Sequence, residues 1–302
     1  MTVSWRPFAF LLVVACSGER APEQDTVTVE GSPPEDSTRP PRVSTWNRSA
    51  GELFAVRGAN SGQAFIVNPS YGDIQALDTL TAAEWDVEGR RLSLLDGSQV
   101  LGMGRVTGLR YDSTCAGWPT ATLNVESTTA TAIWRVAFPE GVVEGFAFDS
   151  LPVLPSADSA ARARAGALAA SRLPDDTSAA FRGRPFTVRQ AHQFAIAPDS
   201  LVTVYEVVRL VAQEANPLQE QLLIITEEGP GREPDGVFHA REVAEEEKMG
   251  SIELLGVLRV KSTGRIALLV RRERESGFVF EWIERSPRGR WTVRWRSAID
   301  SC

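Results

Sequence analysis

Catalysis needs nucleophiles, bases or metal ligands, and this chain is short of them. It carries two histidines, His192 and His239, and three cysteines, Cys16, Cys115 and Cys302. His192 sits in Gln-Ala-His-Gln-Phe, a run that suits a strand better than a general base, and His239 lies in a polar segment. There is no Gly-x-Ser-x-Gly elbow to present a serine, and no His-Glu-x-x-His pair or histidine cluster to hold zinc. Gly102-Met-Gly-Arg-Val-Thr-Gly108 has the glycine density of a phosphate loop, but it lacks the Walker lysine and the strand–GxGxxG–helix context, so its glycines are expected in turns. Glu242 and Glu245-Glu-Glu247 form an acidic run without the Asp/Asn and Gly spacing of a calcium loop, and read as solvated charge. Carboxylate pairs of the glycosidase kind could be assembled from many Asp and Glu residues, and spacing in sequence does not show which. No catalytic residue, metal site or cofactor is therefore assigned.

The elements that could position a site are strands. Residues 253–260, 265–272, 278–285 and 290–297 are four runs separated by Lys261-Ser-Thr-Gly264, Glu273-Arg-Glu-Ser-Gly277 and Ser286-Pro-Arg-Gly289, which predicts an antiparallel meander. In its last strand Trp291, Val293 and Trp295 alternate with Thr292, Arg294 and Arg296, giving one apolar and one wet face. If Arg285 faces Arg290, Trp282 faces Val293, Phe280 faces Trp295 and Glu281 faces Arg294. These aromatics are expected to pack a core. Earlier runs at 52–57, 63–67, 91–95, 106–111, 121–125, 132–138 and 142–148 recur at sandwich or small-barrel spacing, with a helical turn expected at 78–86, capped by Thr81. Strands follow at 186–196, 201–213, 219–227 and 237–243. Between the two β regions, 158–172 is Ala- and Arg-rich, with Ser156 or Asp158 able to cap it and Pro174 ending it: one helix, which must pack closely or lie on the surface. The expected fold is mainly β, with antiparallel sheets in a sandwich- or barrel-like arrangement, the C-terminal four-stranded meander and one Ala-rich helix.

The amino terminus reads as an export signal. Arg6 supplies a positive charge and Phe8-Ala-Phe-Leu-Leu-Val-Val14 an apolar run too short to span a bilayer, which takes about 20 residues. The run Val13-Val14-Ala15-Cys16 resembles the lipobox of bacterial lipoproteins, with Val13 where that class favours Leu. The resemblance covers residues 1–17 and implies cleavage before Cys16, acylation of its sulfur and then of the new amino terminus. Ser17, where many inner-membrane lipoproteins carry Asp, favours the outer membrane. Residues 16–44 then hold Pro22, Pro33, Pro34, Pro40 and Pro41 among Glu, Asp, Ser and Thr, too polar to offset the entropy of ordering. Such a tether reaches about 30 Å. With Cys16 taken by lipid, Cys115 and Cys302 remain in a compartment that permits disulfides, and they are expected to pair; metal binding by the two thiols is the alternative.

The 302 residues suffice for one large or two ordinary domains, and a net charge of −7 argues against a nucleic-acid partner. The organisation expected is a signal at 1–15, anchor and tether at 16–44, a β-rich region at 45–154, helix and connector at 155–185, and a second β region at 186–302. Function is expected to be that of a lipid-anchored envelope protein with a non-enzymatic β-rich domain for binding or scaffolding, its partner a protein or a glycan, the membrane engaged through Cys16. The alternative is a secreted hydrolase or sugar-processing enzyme with a carboxylate site that no motif marks.

Overall fold

The strands of this chain are built into three antiparallel systems and a covering helix. The computed structural model describes residues 51–58, 62–69, 87–111, 119–126, 133–150, 156–174, 179–211, 217–229, 235–275 and 277–297. The signal, the tether, the expected helical turn at 78–86, Cys16, Cys115 and Cys302 lie outside the described residues. All described residues belong to one unit, Val43–Cys302.

Strands β1 (Phe54–Arg57), β2 (Gln63–Val67), β3 (Arg91–Asp96), β4 (Gln99–Tyr111), β5 (Pro119–Glu126) and β6 (Val136–Pro139) close a barrel in the order β1-β2-β5-β4-β3-β6. Period-two burial is visible in β5, where Pro119, Ala121 and Leu123 point inward. Short strands then cross to the remaining sheets. β7 (Val143–Gly145) joins β13 (Met249–Val260), β14 (Ile266–Arg274), β15 (Gly277–Arg285) and β16 (Trp291–Arg296) in the order β16-β15-β14-β13-β7. β8 (Asp149–Ser150) joins β9 (Thr187–Ala197), β10 (Ser200–Val211), β11 (Leu218–Glu228) and β12 (Asp235–Glu245) in the order β12-β11-β10-β9-β8. The mainly β sandwich- and barrel-like architecture expected from the sequence is the one observed.

The meander is the central layer. Leu269, Phe280 and Trp282 pack with the barrel residues Phe54 and Phe138, while Leu268, Val270 and Ile283 pack with Val204, Leu223 and Ile225 of the second sheet. Phe54 meets Phe280 edge-on at 5.6 Å, and Phe138 meets Trp282 at 6.2 Å. Burial on both faces explains why Ile266-Ala-Leu-Leu-Val270 is apolar without a break.

Three expectations are corrected. First, the register of the last hairpin is one residue longer than derived. Ser286 accepts from Gly289 N–H at 3.0 Å and donates to the Arg290 carbonyl at 2.7 Å, and Gly289 takes φ +79°, so Arg285 faces Trp291. Only a left-handed residue closes this three-residue loop at low cost, and glycine supplies it. Second, Trp291, Val293 and Trp295 do alternate with exposed Thr292, Arg294 and Arg296 as expected, but the three do not share one face. A bulge between the pairs Ile283–Val293 and Trp282–Trp295 places Arg294 outside the ladder register. Trp291 and Val293 therefore face the second sheet, Trp295 faces the barrel layer, and Glu281 is opposite Arg296, their side chains 2.6 Å apart. Third, the glycines at 102–108 are not in turns but inside β4, whose thirteen residues bend with a bulge between Val106 and Gly108. At Gly104 an added Cβ would already touch the Leu94 side chain at 3.4 Å, whereas at Gly108, beside the bulge, it would meet nothing within 4 Å.

The helix α1 (Ser156–Ser171) covers the outer face of the second sheet. Ala170 packs near Tyr205, Val207, Leu222 and Ile224, and Leu168 points to solvent. A Cβ added at Gly166 would lie 2.6 Å from Tyr205 Cδ1 and 2.8 Å from Val188 Cγ2. Of the two expectations for this helix, it lies largely at the surface and makes its one close approach to the sheet at Gly166. No helix among the described residues is long and apolar enough to cross a membrane.

Candidate functional site

Of the residues whose types invite chemistry, His192 is placed in β9, opposite Val204 on one side and Ser150 on the other. Its Nδ1 is 3.0 Å from Ser150 Oγ, and Phe148 meets the ring edge-on at 5.4 Å. Burial, with a smaller contribution from the Arg135 cation, lowers its pKa to about 4. This is a neutral, packed strand histidine, as the alternation around it suggests. His239 is an exposed residue of β12, opposite Ile224. The two histidines are thus not brought together. In the acidic run, Glu245 pairs with Lys248 at 2.9 Å and Glu242 with Arg274, and no metal-binding group of three or more such side chains occurs among the described residues.

A polar concavity lies where the barrel meets one end of the central sheet. Gly51 and Glu52 lead into β1; Ser262, Thr263 and Arg265 come from the turn between β13 and β14; Trp282, Glu284 and Arg294 come from β15 and β16. Together with Val260 they enclose about 360 Å³. Its groups are already matched in part. Arg265 Nη1 donates to Glu284 Oε1 at 2.6 Å, and Ser262 Oγ donates to Glu52 Oε1 at 3.5 Å. Glu52 is 5% exposed, a depth at which a carboxylate needs partners. Trp282 Nε1 is buried at the wall without a hydrogen-bond acceptor. The bulge in β16 is what makes room: it turns Trp295 inward and leaves Arg294 exposed at the rim.

Two carboxylates, two guanidinium groups and two hydroxyls in one cleft favour a ligand that both donates and accepts hydrogen bonds and carries little net charge. Sequence reasoning placed the strands but singled out none of these as site residues. Glu52 and Ser262 are 210 residues apart, and no local spacing links them.

A second set of buried polar groups lies between the two sheets. Glu206 of β10 accepts from Gln221 Nε2 at 2.8 Å, and the same amide donates to the Gly250 carbonyl at 2.9 Å. Burial raises the pKa of Glu206, against opposing contributions from Gln221, Arg189, the Ile252 backbone and Arg272. Glu206 is not among the residues that line the cleft. The raised carboxylate and the concavity are therefore separate, unlike the convergence expected of a glycosidase-like centre. Comparisons with protein-family models, with curated proteins and with solved structures gave no match to this chain.

Proposed function

We propose that this chain is a lipid-anchored cell-envelope protein that presents a non-enzymatic β-rich domain for binding, with the cleft between the barrel and the central sheet as the binding surface. The observation that carries the binding reading is the ion pair of Glu284 with Arg265 inside that cleft. A carboxylate and a guanidinium fixed against each other at 2.6 Å present acceptor and donor groups side by side, as a recognition surface does. The lining residues suit a neutral hydroxylated ligand such as a glycan segment, or a polar stretch of a protein partner.

The anchor rests on Val13-Val14-Ala15-Cys16 and on the Pro-rich polar stretch behind it. Several acyl chains on Cys16, at about 0.8 kcal/mol per buried CH₂, would hold the protein to a membrane effectively permanently. The experiment is Cys16→Ala followed by cell fractionation. The parent should follow the membrane and the variant the soluble fraction; identical partitioning of the two into the soluble fraction refutes the anchor.

A further inference from the structure

We propose that Glu206 is a proton-operated latch between the second sheet and the central sheet: as a neutral acid it holds the first residues of β13 against β10 and β11, and as a carboxylate it lets them loosen. The segment it holds is incompletely tied from its other side. Between the pairs Met249–Arg274 and Ile252–Arg272 a bulge sets Gly250 and Ser251 against Glu273 alone, which interrupts the ladder to β14. The bulge fits tightly, since a Cβ at Gly250 would lie 2.7 Å from the carbonyl carbon and oxygen of Glu273, and Ser251 Oγ donates to Glu273 Oε2 at 2.8 Å. From the second sheet, Gln221 Nε2 donates to the Gly250 carbonyl at 2.9 Å and to Glu206 Oε1 at 2.8 Å, and the Ile252 backbone N–H donates to the same carboxyl group. Glu206 is 3% exposed and Gln221 fully buried, so side chains rather than water fasten the start of β13 to the second sheet.

The balance of donors and acceptors here favours a proton. Gln221 has committed both amide hydrogens, while its own Oε1 and Glu206 Oε2 are buried without a hydrogen-bond partner. Both atoms are acceptors, and a carboxylate adds no donor; a protonated Oε2 is itself one. The cations that face the group are engaged elsewhere. Arg189 of β9 brings Nη1 to 3.9 Å from Glu206 Oε1, beyond hydrogen-bond reach, and donates Nη2 to Gln219 Oε1 at 2.6 Å. Arg272 of β14 donates Nε to Glu281 Oε2 of β15 at 2.9 Å, and Glu281 Oε1 is 2.6 Å from Arg296 Nη2 of β16. Burial outweighs these fields and pushes the Glu206 carboxyl above its ordinary value of 4.5. The folded chain therefore keeps a proton that the unfolded chain gives up near that pH. The latch is complete below about pH 4.5 and is lost as pH rises through the folded value.

Hydrogen exchange of the full chain, followed from about pH 5 to about pH 9 and expressed as protection factors so that the intrinsic exchange rate cancels, tests this. Protection at residues 249–252 is expected to fall about tenfold across that range, the equilibrium change that one unmet buried hydrogen bond amounts to. The amides of Leu222, Leu223 and Ile224, inside β11, should keep theirs. Glu206→Gln, which places an amide donor where the acid carries its proton, should hold the protection of 249–252 constant. Arg189→Gln, which removes a cation that favours the carboxylate, should move the fall to higher pH. Infrared titration of the parent, which depends on no variant folding, should show one carboxyl group losing its proton above the ordinary glutamate range. Protection at 249–252 that ignores pH in the parent, an equal fall in Glu206→Gln, or an infrared titration with no such carboxyl group would each overturn the proposal.

Discussion

Gly145→Ala is the substitution that tests whether the barrel is fixed to the central sheet. Gly145 belongs to β7 and faces Leu258 of β13. Above it sits the turn between β3 and β4: a Cβ at 145 would lie 2.9 Å from both the Cα and the carbonyl carbon of Ser98, and closer still to its oxygen. All three are backbone atoms, so no side chain can swing aside. The same turn is seated by two more glycines, since a Cβ at Gly97 would be 3.1 Å from the Phe148 ring and one at Gly256 would be 3.4 Å from the Gly97 carbonyl oxygen. Forcing a methyl into a packed contact of this kind costs about 1–3 kcal/mol. Replacing glycine by alanine also narrows the unfolded ensemble, which returns about 0.4–1 kcal/mol. The net expectation is a loss of about 1–2 kcal/mol, or a fall in Tm of about 2–8 °C for a domain of this size. Gly108→Ala is the matched control, a strand glycine of β4 with nothing within 4 Å of its added Cβ; it should be neutral or slightly stabilising. Thermal melts of both variants followed by circular dichroism decide the matter. If Gly145→Ala melts with the parent while Gly108→Ala behaves as expected, the β3–β4 turn is not seated on β7 and the packing argument is wrong.

Two other outcomes are expected. Because the folded pKa of His192 is lowered from 6.5 to about 4, the unfolded chain binds the extra proton first, so its contribution is intact above pH 6.5 and is lost as pH falls towards 4. The loss is at most about 3 kcal/mol; His192→Gln should flatten the acid limb of a denaturant-midpoint versus pH curve relative to the parent, and parallel curves would refute the assignment. Cys115 and Cys302 should be recovered as one linked peptide when the mature protein is mapped without reductant, a crosslink worth about 4–5 kcal/mol in the chain-entropy model; two separately alkylated thiols would refute it.

What the sequence made legible was the periodic part. Runs such as 63–67, 91–95 and 219–227 became strands with boundaries shifted by a residue or less, because their apolar residues and flanking turn signals act locally. Legibility failed where an irregular residue changes parity. Arg294 differs in no compositional way from Arg296, yet as the bulge residue it reverses which layer Trp295 joins. Likewise Gly102–Gly108 carries the same glycines whether it turns or bends, and only the ladders on both sides of β4 show that it bends. Even a strongly alternating strand therefore fixes its faces only up to the next bulge.

The candidate cleft was illegible for a related reason. Its charged residues are individually ordinary: Glu52 looks like a solvated residue before a strand, Ser262 and Thr263 like hairpin punctuation, Glu284 and Arg265 like the wet face of a meander. What makes them a site is the layer order. The barrel covers the face of β15 that carries Phe280 and Trp282, so residues at the end of that face are caught between two layers instead of meeting water. Burial changes the physics of such groups, because an unpaired carboxylate at the depth of Glu52 costs several kcal/mol where an exposed one costs nothing. The pairing of Glu284 with Arg265 and the placement of Ser262 beside Glu52 answer that cost with side chains from β15 and from the turn between β13 and β14, while the buried indole N–H of Trp282 is left without an acceptor.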